Sequence, residues 1–189
     1  IDKINVLNYF ETIVQNSNVA NRLVNSAFMN LLVKLLKLSK NVNLKAKVCC
    51  IIGQLIRHAT FIENELSQLS LTTILTDQLK EKNDKLKRKA VAALGEYLFY
   101  GATQMDEDAN ETTWDISSNL VKELNNILRS NEEETVKFYV CKTIENITAQ
   151  SMNAGIKFAN LDSVNAMMQI INTTKNENLK ICATICLNH

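Results

Sequence analysis

The chain of 189 residues contains no proline and only four glycines. Tight β-turns depend on the fixed φ of one and the positive φ of the other, so their scarcity argues against a loop-rich or hairpin-rich domain. No run of strict apolar–polar alternation suggests a strand. Histidine occurs twice, at His58 and His189. The first closes a helical pattern beside Arg57 and the second is terminal, so neither is placed as a catalytic base. No G-x-G-x-x-G or G-x-x-x-x-G-K-[ST] loop is present to cradle phosphates. No apolar run approaches the ~18 residues needed to cross a bilayer, and the N-terminus lacks the layout of a secretory signal. Lys and Arg (21) nearly balance Asp and Glu (20). A net charge of +1 gives no global reason to expect nucleic acid or an anionic membrane as partner.

What is present is helical pattern. Hydrophobic residues make up 46% and charged residues 22% of the chain, ordinary for a globular domain. The segment "KNVNLK" at 40–45 returns as "KNDKLK" at 82–87 and "KNENLK" at 175–180, with a degenerate copy, "NEEETVK", at 131–137. The anchors Leu44, Leu86, Val136 and Leu179 are 42, 50 and 43 residues apart. Four residues on lie Val48, Ala90, Val140 and Ala183, and eight on lie Ile52, Leu94, Ile144 and Leu187. Apolar positions at i, i+4 and i+8 define the buried face of an amphipathic helix. The K-N turn leads into that helix, and its Asn suits the capping of backbone donors that the first turn leaves unpaired. Apolar-rich helices are expected before each turn, at 29–38, 72–80, 120–129 and 164–173, with short pieces at 19–27, 59–69 and 153–161 ahead of three of them.

Two or three helices recurring at roughly 40 to 47 residues mark armadillo and HEAT arrays. The fold expected is all-α: one armadillo/HEAT-like α-solenoid over 1–189, with repeat units at roughly 19–58, 59–104, 114–151 and 152–189 after a helix at 3–16. The chain opens inside a helix and stops within the last long helix, at "ATICLNH", as expected of a piece of a longer solenoid.

Cysteine and charge complete the inventory. Cys49, Cys50, Cys141, Cys182 and Cys186 are an odd number of thiols, all within helical patterns, which fits buried reduced thiols in the cytosol better than disulfides. Cys182 and Cys186 are one turn apart, but no second pair at ligand spacing accompanies them, so no metal and no cofactor is expected. The acidic runs at 106–108 and 132–134 fall in a loop and at a helix start, where acids favour the helix dipole. Gly53 and Gly95 each follow a buried position, where a missing side chain lets helices approach.

Lys80, Lys82, Lys85, Lys87, Arg88 and Lys89 crowd one inter-helix turn. Two readings stand: a solvated turn, or a docking point for an acidic partner such as a protein tail. Stacked repeats also line a groove with their long helices, and such grooves bind extended partners. In armadillo proteins that carry peptides, an Asn recurs two positions after the buried leucine. The corresponding residues here are Gln54, Glu96, Asn146 and His189, so only Asn146 conforms. The tryptophans that those carriers place four residues earlier are replaced by Cys50, Ala92, Lys142 and Ile185, which disfavours a nuclear-import-receptor role. Tyr97, Phe99 and Tyr100 concentrate near the end of the second long helix, where part of the set is expected in the core and the rest, Tyr100 included, at the groove as an aromatic anchor.

The strings "KRKAVAALGEYLFYGATQ" at 87–104, "WDIS" at Trp114, "VKFYVCKTIENITAQS" at 136–151 and "AGIKFANLD" at 154–162 resemble the C-terminal helical-repeat region of the Unc-51-like/Fused kinase family, in its fourth Unc-51-like and plant Runkel branch. The resemblance is strongest over 83–189. It implies a kinase-like domain elsewhere in the full-length protein, often a pseudokinase, and an association with microtubule-based structures such as the cilium or the plant division apparatus. The V-A-I-K, H-R-D and D-F-G motifs of a kinase are absent from this chain. The expectation is therefore a non-catalytic protein–protein interaction scaffold, cytoplasmic and associated with the cilium or cytoskeleton. Its partners would be proteins, tubulin or axonemal components among them, with no nucleic acid and no membrane. Two alternatives stand beside it: an armadillo adaptor unrelated to kinases, and the tail of an active serine/threonine kinase.

Overall fold

A computed structural model of the chain describes residues 2–104 and 116–188, the side chains of Asn64 and Gln104 excepted. Trp114, the acidic run at 106–108 and His189 lie outside the described residues. In chain order the elements are α1 (Lys3–Ile13), α2 (Ser17–Val24), α3 (Ala27–Leu38), α4 (Val42–His58), a 3-10 helix (Asn64–Leu69), α5 (Leu71–Leu79), α6 (Asp84–Gln104), α7 (Ser118–Arg129), α8 (Glu134–Gln150), α9 (Met152–Phe158), α10 (Leu161–Thr173) and α11 (Glu177–Asn188). Among the described residues there is no strand. The fold is all-α, built of armadillo/HEAT-type helical repeats. The order short, medium, long recurs in α2–α3–α4, in the 3-10 helix with α5 and α6, and in α9–α10–α11.

The chain divides into two compact units, Ile1–Tyr97 and Leu98–His189, with the division falling inside α6. In the first, α4 packs against α1, α2 and α3, and α3 also meets α5. In the second, α8 packs against α7, α9 and α11, while α10 lies on α7 and α11.

The turn that recurs in sequence recurs in geometry. Asn41 Oδ1 accepts a hydrogen bond from the Leu44 N–H at 3.1 Å, Asn83 Oδ1 from Leu86 at 2.9 Å, and Asn176 Oδ1 from Leu179 at 3.2 Å. The Asn thus satisfies a donor of the first helical turn, and the anchor leucine is positioned to face the core. In the degenerate copy Glu133 stands at the capping position and its side chain makes no such bond. All four anchors are buried, as are the residues four positions on. At the eighth position Ile52, Leu94 and Ile144 are buried, but Leu187 is 37% exposed. Leu187 lies in the last turn of α11, and no further described helix packs over it.

The short piece expected at 59–69 is only partly helical. Residues 64–69 form a 3-10 helix, and the segment before it is extended and tied to α2. Asn21 Oδ1 accepts from the Thr60 and Phe61 N–H groups at 2.8 and 3.2 Å, while Asn25 Nδ2 donates to the Phe61 carbonyl and Asn25 Oδ1 accepts from Glu63 N–H. These side chains supply the partners that helical bonds would otherwise provide. In the second unit Asn125 is fully buried, and its Nδ2 donates to Asp162 Oδ2 and Ser163 Oγ, both at 2.9 Å.

Candidate functional site

The positions that the sequence pattern leads one to expect at a groove lie on the long helices. In the first unit these are Gln54 on α4 and Glu96 on α6, both half-buried. Glu96 Oε1 lies 3.4 Å from Arg57 Nε across the α4–α6 contact. Burial raises the Glu96 carboxyl above its usual range, against the opposing charges of Arg57 and His58. Gln54 Oε1 is buried with no hydrogen-bond partner. At α1, Glu11 takes donors from α4 in the same manner: Lys47 pairs with it, and the Cys50 thiol donates to its Oε1 at 3.2 Å. The Lys47 hydrogen bond holds the Glu11 carboxyl below its usual range, while burial pushes the half-buried Cys50 thiol up.

In the second unit Asn146 is half-buried on α8 and Lys142 is exposed one turn earlier. Lys142 Nζ lies 2.6 Å from Glu145 Oε1, and the Cys182 thiol of α11 donates to Glu145 Oε2 at 3.0 Å. Burial and the Cys182 bond raise the Glu145 carboxyl, and Lys142 draws it back. Cys186 donates to the Cys141 carbonyl at 3.2 Å. Cys49, Cys141 and Cys182 are buried and Cys50 and Cys186 half-buried, all as free thiols. The half-buried pair departs from the expectation of uniformly buried thiols: Cys50 and Cys186 each reach an acceptor on a neighbouring helix, Glu11 Oε1 and the Cys141 carbonyl, while staying partly exposed. Among the described residues, no three His, Cys, Asp or Glu side chains are arranged to hold a metal, and no helix is long and apolar enough to cross a membrane.

The aromatic cluster divides as its helical phases require. Tyr97 is buried, and burial pushes its phenol up to about 12; Phe99 is 36% exposed, and Tyr100 is half-buried.

The basic turn needs a correction. Lys82, Lys85 and Lys89 are exposed, but Arg88 is half-buried and Lys87 is only 8% exposed. Lys87 lies one turn before Val91 and two before Leu94, on the stripe that faces the core, and its aliphatic stem accommodates that position. Lys89, exposed in the second turn of α6, favours the anionic form of Glu11. Lys82 and Lys85 are the exposed lysines nearest the turn, with Lys89 a turn further along α6. Lys45 Nζ, at the start of α4, lies 2.9 Å from Glu81 Oε1, and this ion pair brings the K-N turn of α4 beside that of α6. Lys40, in the first of these turns, is exposed like Lys82 and Lys85 at the second.

Sequence reasoning treated only the total charge and missed its distribution. The first unit holds 14 of the 21 Lys and Arg but 8 of the 20 Asp and Glu, a net +6, leaving −5 in the second. Summing charge by halves would have found this.

Comparison with known proteins gives the relationship. The chain is 34% identical to the serine/threonine-protein kinase RUNKEL of Arabidopsis thaliana over 199 aligned residues, 98% of the chain. It is homologous to RUNKEL. The serine/threonine-protein kinase ULK4 of mouse is 29% identical over 148 residues, 77% of the chain. The chain spans 15% of the length of RUNKEL and 11% of that of ULK4. No protein-family model matches the chain. Among solved structures, an engineered protein superposes with a TM-score of 0.74 at 15% identity, covering 97% of this chain and 70% of its own. That likeness concerns the fold alone.

Proposed function

We propose that the chain is a non-catalytic scaffold segment from the C-terminal repeat region of a RUNKEL/ULK4-type kinase or pseudokinase, acting by binding other proteins in microtubule-based structures such as the cilium, axoneme or division apparatus. Homology to two kinases supports the family, and the all-helical repeat fold suits a segment that binds rather than catalyses. Any phosphoryl transfer belongs to another part of the full-length protein. The observation that carries the interaction reading is the edge formed by Lys40, Lys82 and Lys85, exposed lysines on two adjoining turns of a unit with net charge +6. Such an edge attracts acidic surfaces over about a Debye length, ~8 Å in physiological salt. Acidic tubulin tails have the matching chemistry.

The groove positions, Gln54 and Glu96 in the first unit and Tyr100, Lys142 and Asn146 in the second, are the second set of candidates, each unit taken by itself. They are secondary because Glu96 and Lys142 are engaged in ion pairs. The test is co-sedimentation with taxol-stabilised microtubules across a salt series, comparing the parent with Lys40→Gln/Lys82→Gln/Lys85→Gln. The parent should bind and weaken as salt rises, and the variant should bind less at low salt with an unchanged melting temperature. Equal binding by both would remove the edge from the account and move the assignment to the groove.

A further inference from the structure

The solvent face of α3 mixes leucines with lysines. Met29, Leu32, Val33 and Leu36 fill the core, leaving Leu31, Lys34, Lys37 and Leu38 outward. Leu31 is 50% exposed and Leu38 is 71% exposed. At 100° per residue these four side chains fall within about a third of the helix circumference. The two leucines are seven residues apart, roughly 10.5 Å along the axis, with a lysine between and another beside the second. The C-terminal end of α3 runs directly into Lys40, and so into the edge that the Lys45–Glu81 pair joins to Lys82 and Lys85.

None of Lys34, Lys37, Lys40, Lys82 and Lys85 has an acidic partner among the described residues. Of the acids nearby, Glu81 is taken by Lys45 and Asp77 by Lys80, leaving Asp84. A solvated helix face needs lysines but gains nothing from exposed leucines between them. Leucines at two-turn spacing within a field of uncompensated positive charge fit a ligand that is both apolar at that spacing and negative around it.

We propose that the α3 face, continuous with the Lys40–Lys82–Lys85 edge, docks an acidic amphipathic protein segment that seats apolar side chains on Leu31 and Leu38 while its carboxylates meet Lys34, Lys37 and Lys40. This rests on the reading of the first unit as a protein-docking surface and narrows the partner's chemistry. The occupant is an acidic helix, because two knobs about two turns apart match i and i+7 positions of a partner helix. A uniformly acidic tail would use the lysines and leave the leucines wet.

The test is fluorescence anisotropy with the whole chain and two peptides about 18 residues long, roughly 27 Å as helices. One carries Glu with Leu at every third or fourth position. The other has those Leu replaced by Gln. The parent should bind the Leu-containing peptide at least ~10-fold more tightly. Leu31→Gln/Leu38→Gln should erase that preference while leaving the melting curve unchanged, since both side chains are already exposed. Lys34→Gln/Lys37→Gln should weaken both peptides, most at low salt. Equal binding of the two peptides by the parent, or a preference surviving in the leucine variant, would overturn the inference. So would binding to vesicles of about 30% phosphatidylserine with neither peptide bound, which would assign the face to an anionic membrane. Loss of peptide preference with microtubule co-sedimentation intact removes this inference and leaves the scaffold reading; the reverse outcome removes the microtubule reading alone.

Discussion

A Cβ added at Gly53 on α4 would lie 3.0 Å from the Cα of Ala93 on α6. The obstacle is backbone, with the Ala93 Cβ and N close behind at 3.4 and 3.5 Å, so no side chain can swing aside. Helix propensity alone favours Ala over Gly by ~1 kcal/mol, whereas overpacking a closed contact costs about 1 to 3 kcal/mol. Gly53→Ala should therefore lower the chemical-denaturation midpoint. Gly155→Ala, whose new Cβ meets nothing within 4 Å, should raise it. A gain at Gly53 would mean that the α4–α6 contact yields.

The capping asparagines give a second prediction. Asn83→Ala should cost ~1 kcal/mol, within a range of about 0.5 to 2, because the Leu86 N–H loses its acceptor. Glu133→Asn should gain a similar amount by restoring the cap that the degenerate turn lacks. Thermal melts of the two variants would check this, and a loss of stability in Glu133→Asn would show that the local backbone does not accept the K-N geometry.

Leu94 and Leu187 hold the same place in the repeat pattern but differ in burial, 0% against 37% exposed. Leu94→Ala should cost ~2 to 5 kcal/mol and Leu187→Ala well below that. Equal costs by urea titration would contradict the assignment of the buried faces.

Glu96 supplies the pH dependence. Its folded-state pKa is raised, chiefly by burial, so the native state binds its proton more tightly than the unfolded chain does. The ionised carboxylate therefore opposes folding increasingly as pH rises through and above the ordinary carboxylate range. Glu96→Gln should raise the melting temperature relative to the parent at neutral pH, and the difference should shrink on acidification. A difference that is independent of pH, or that grows at low pH, would show that the Arg57 ion pair outweighs burial.

The fold was legible because helix period and turn chemistry repeat together. Leu44, Leu86, Val136 and Leu179, with the residues four positions on, are buried where the periodicity placed them, and the K-N asparagines cap as their chemistry suggested. The segment before the 3-10 helix was misread because Asn21 and Asn25, nearly forty residues away, satisfy its backbone, and no local pattern encodes such a bond. Lys87 was assigned to the surface because it lies in a run of charges, yet its helical phase puts it on the core stripe. Leu31 and Leu38 read as ordinary apolar helix residues, and only three-dimensional packing showed that neighbouring helices leave them uncovered. The Glu145–Cys182 hydrogen bond had no sequence signal at all, since it joins different positions of two repeats.

The most direct test of the scaffold account is lysine reactivity footprinting of the chain, alone and with saturating microtubules, read by mass spectrometry. The account predicts that Lys40, Lys82 and Lys85 become protected while Lys122, Lys137 and Lys157 of the second unit stay reactive. Protection confined to the second unit, or an unchanged pattern throughout, would contradict it.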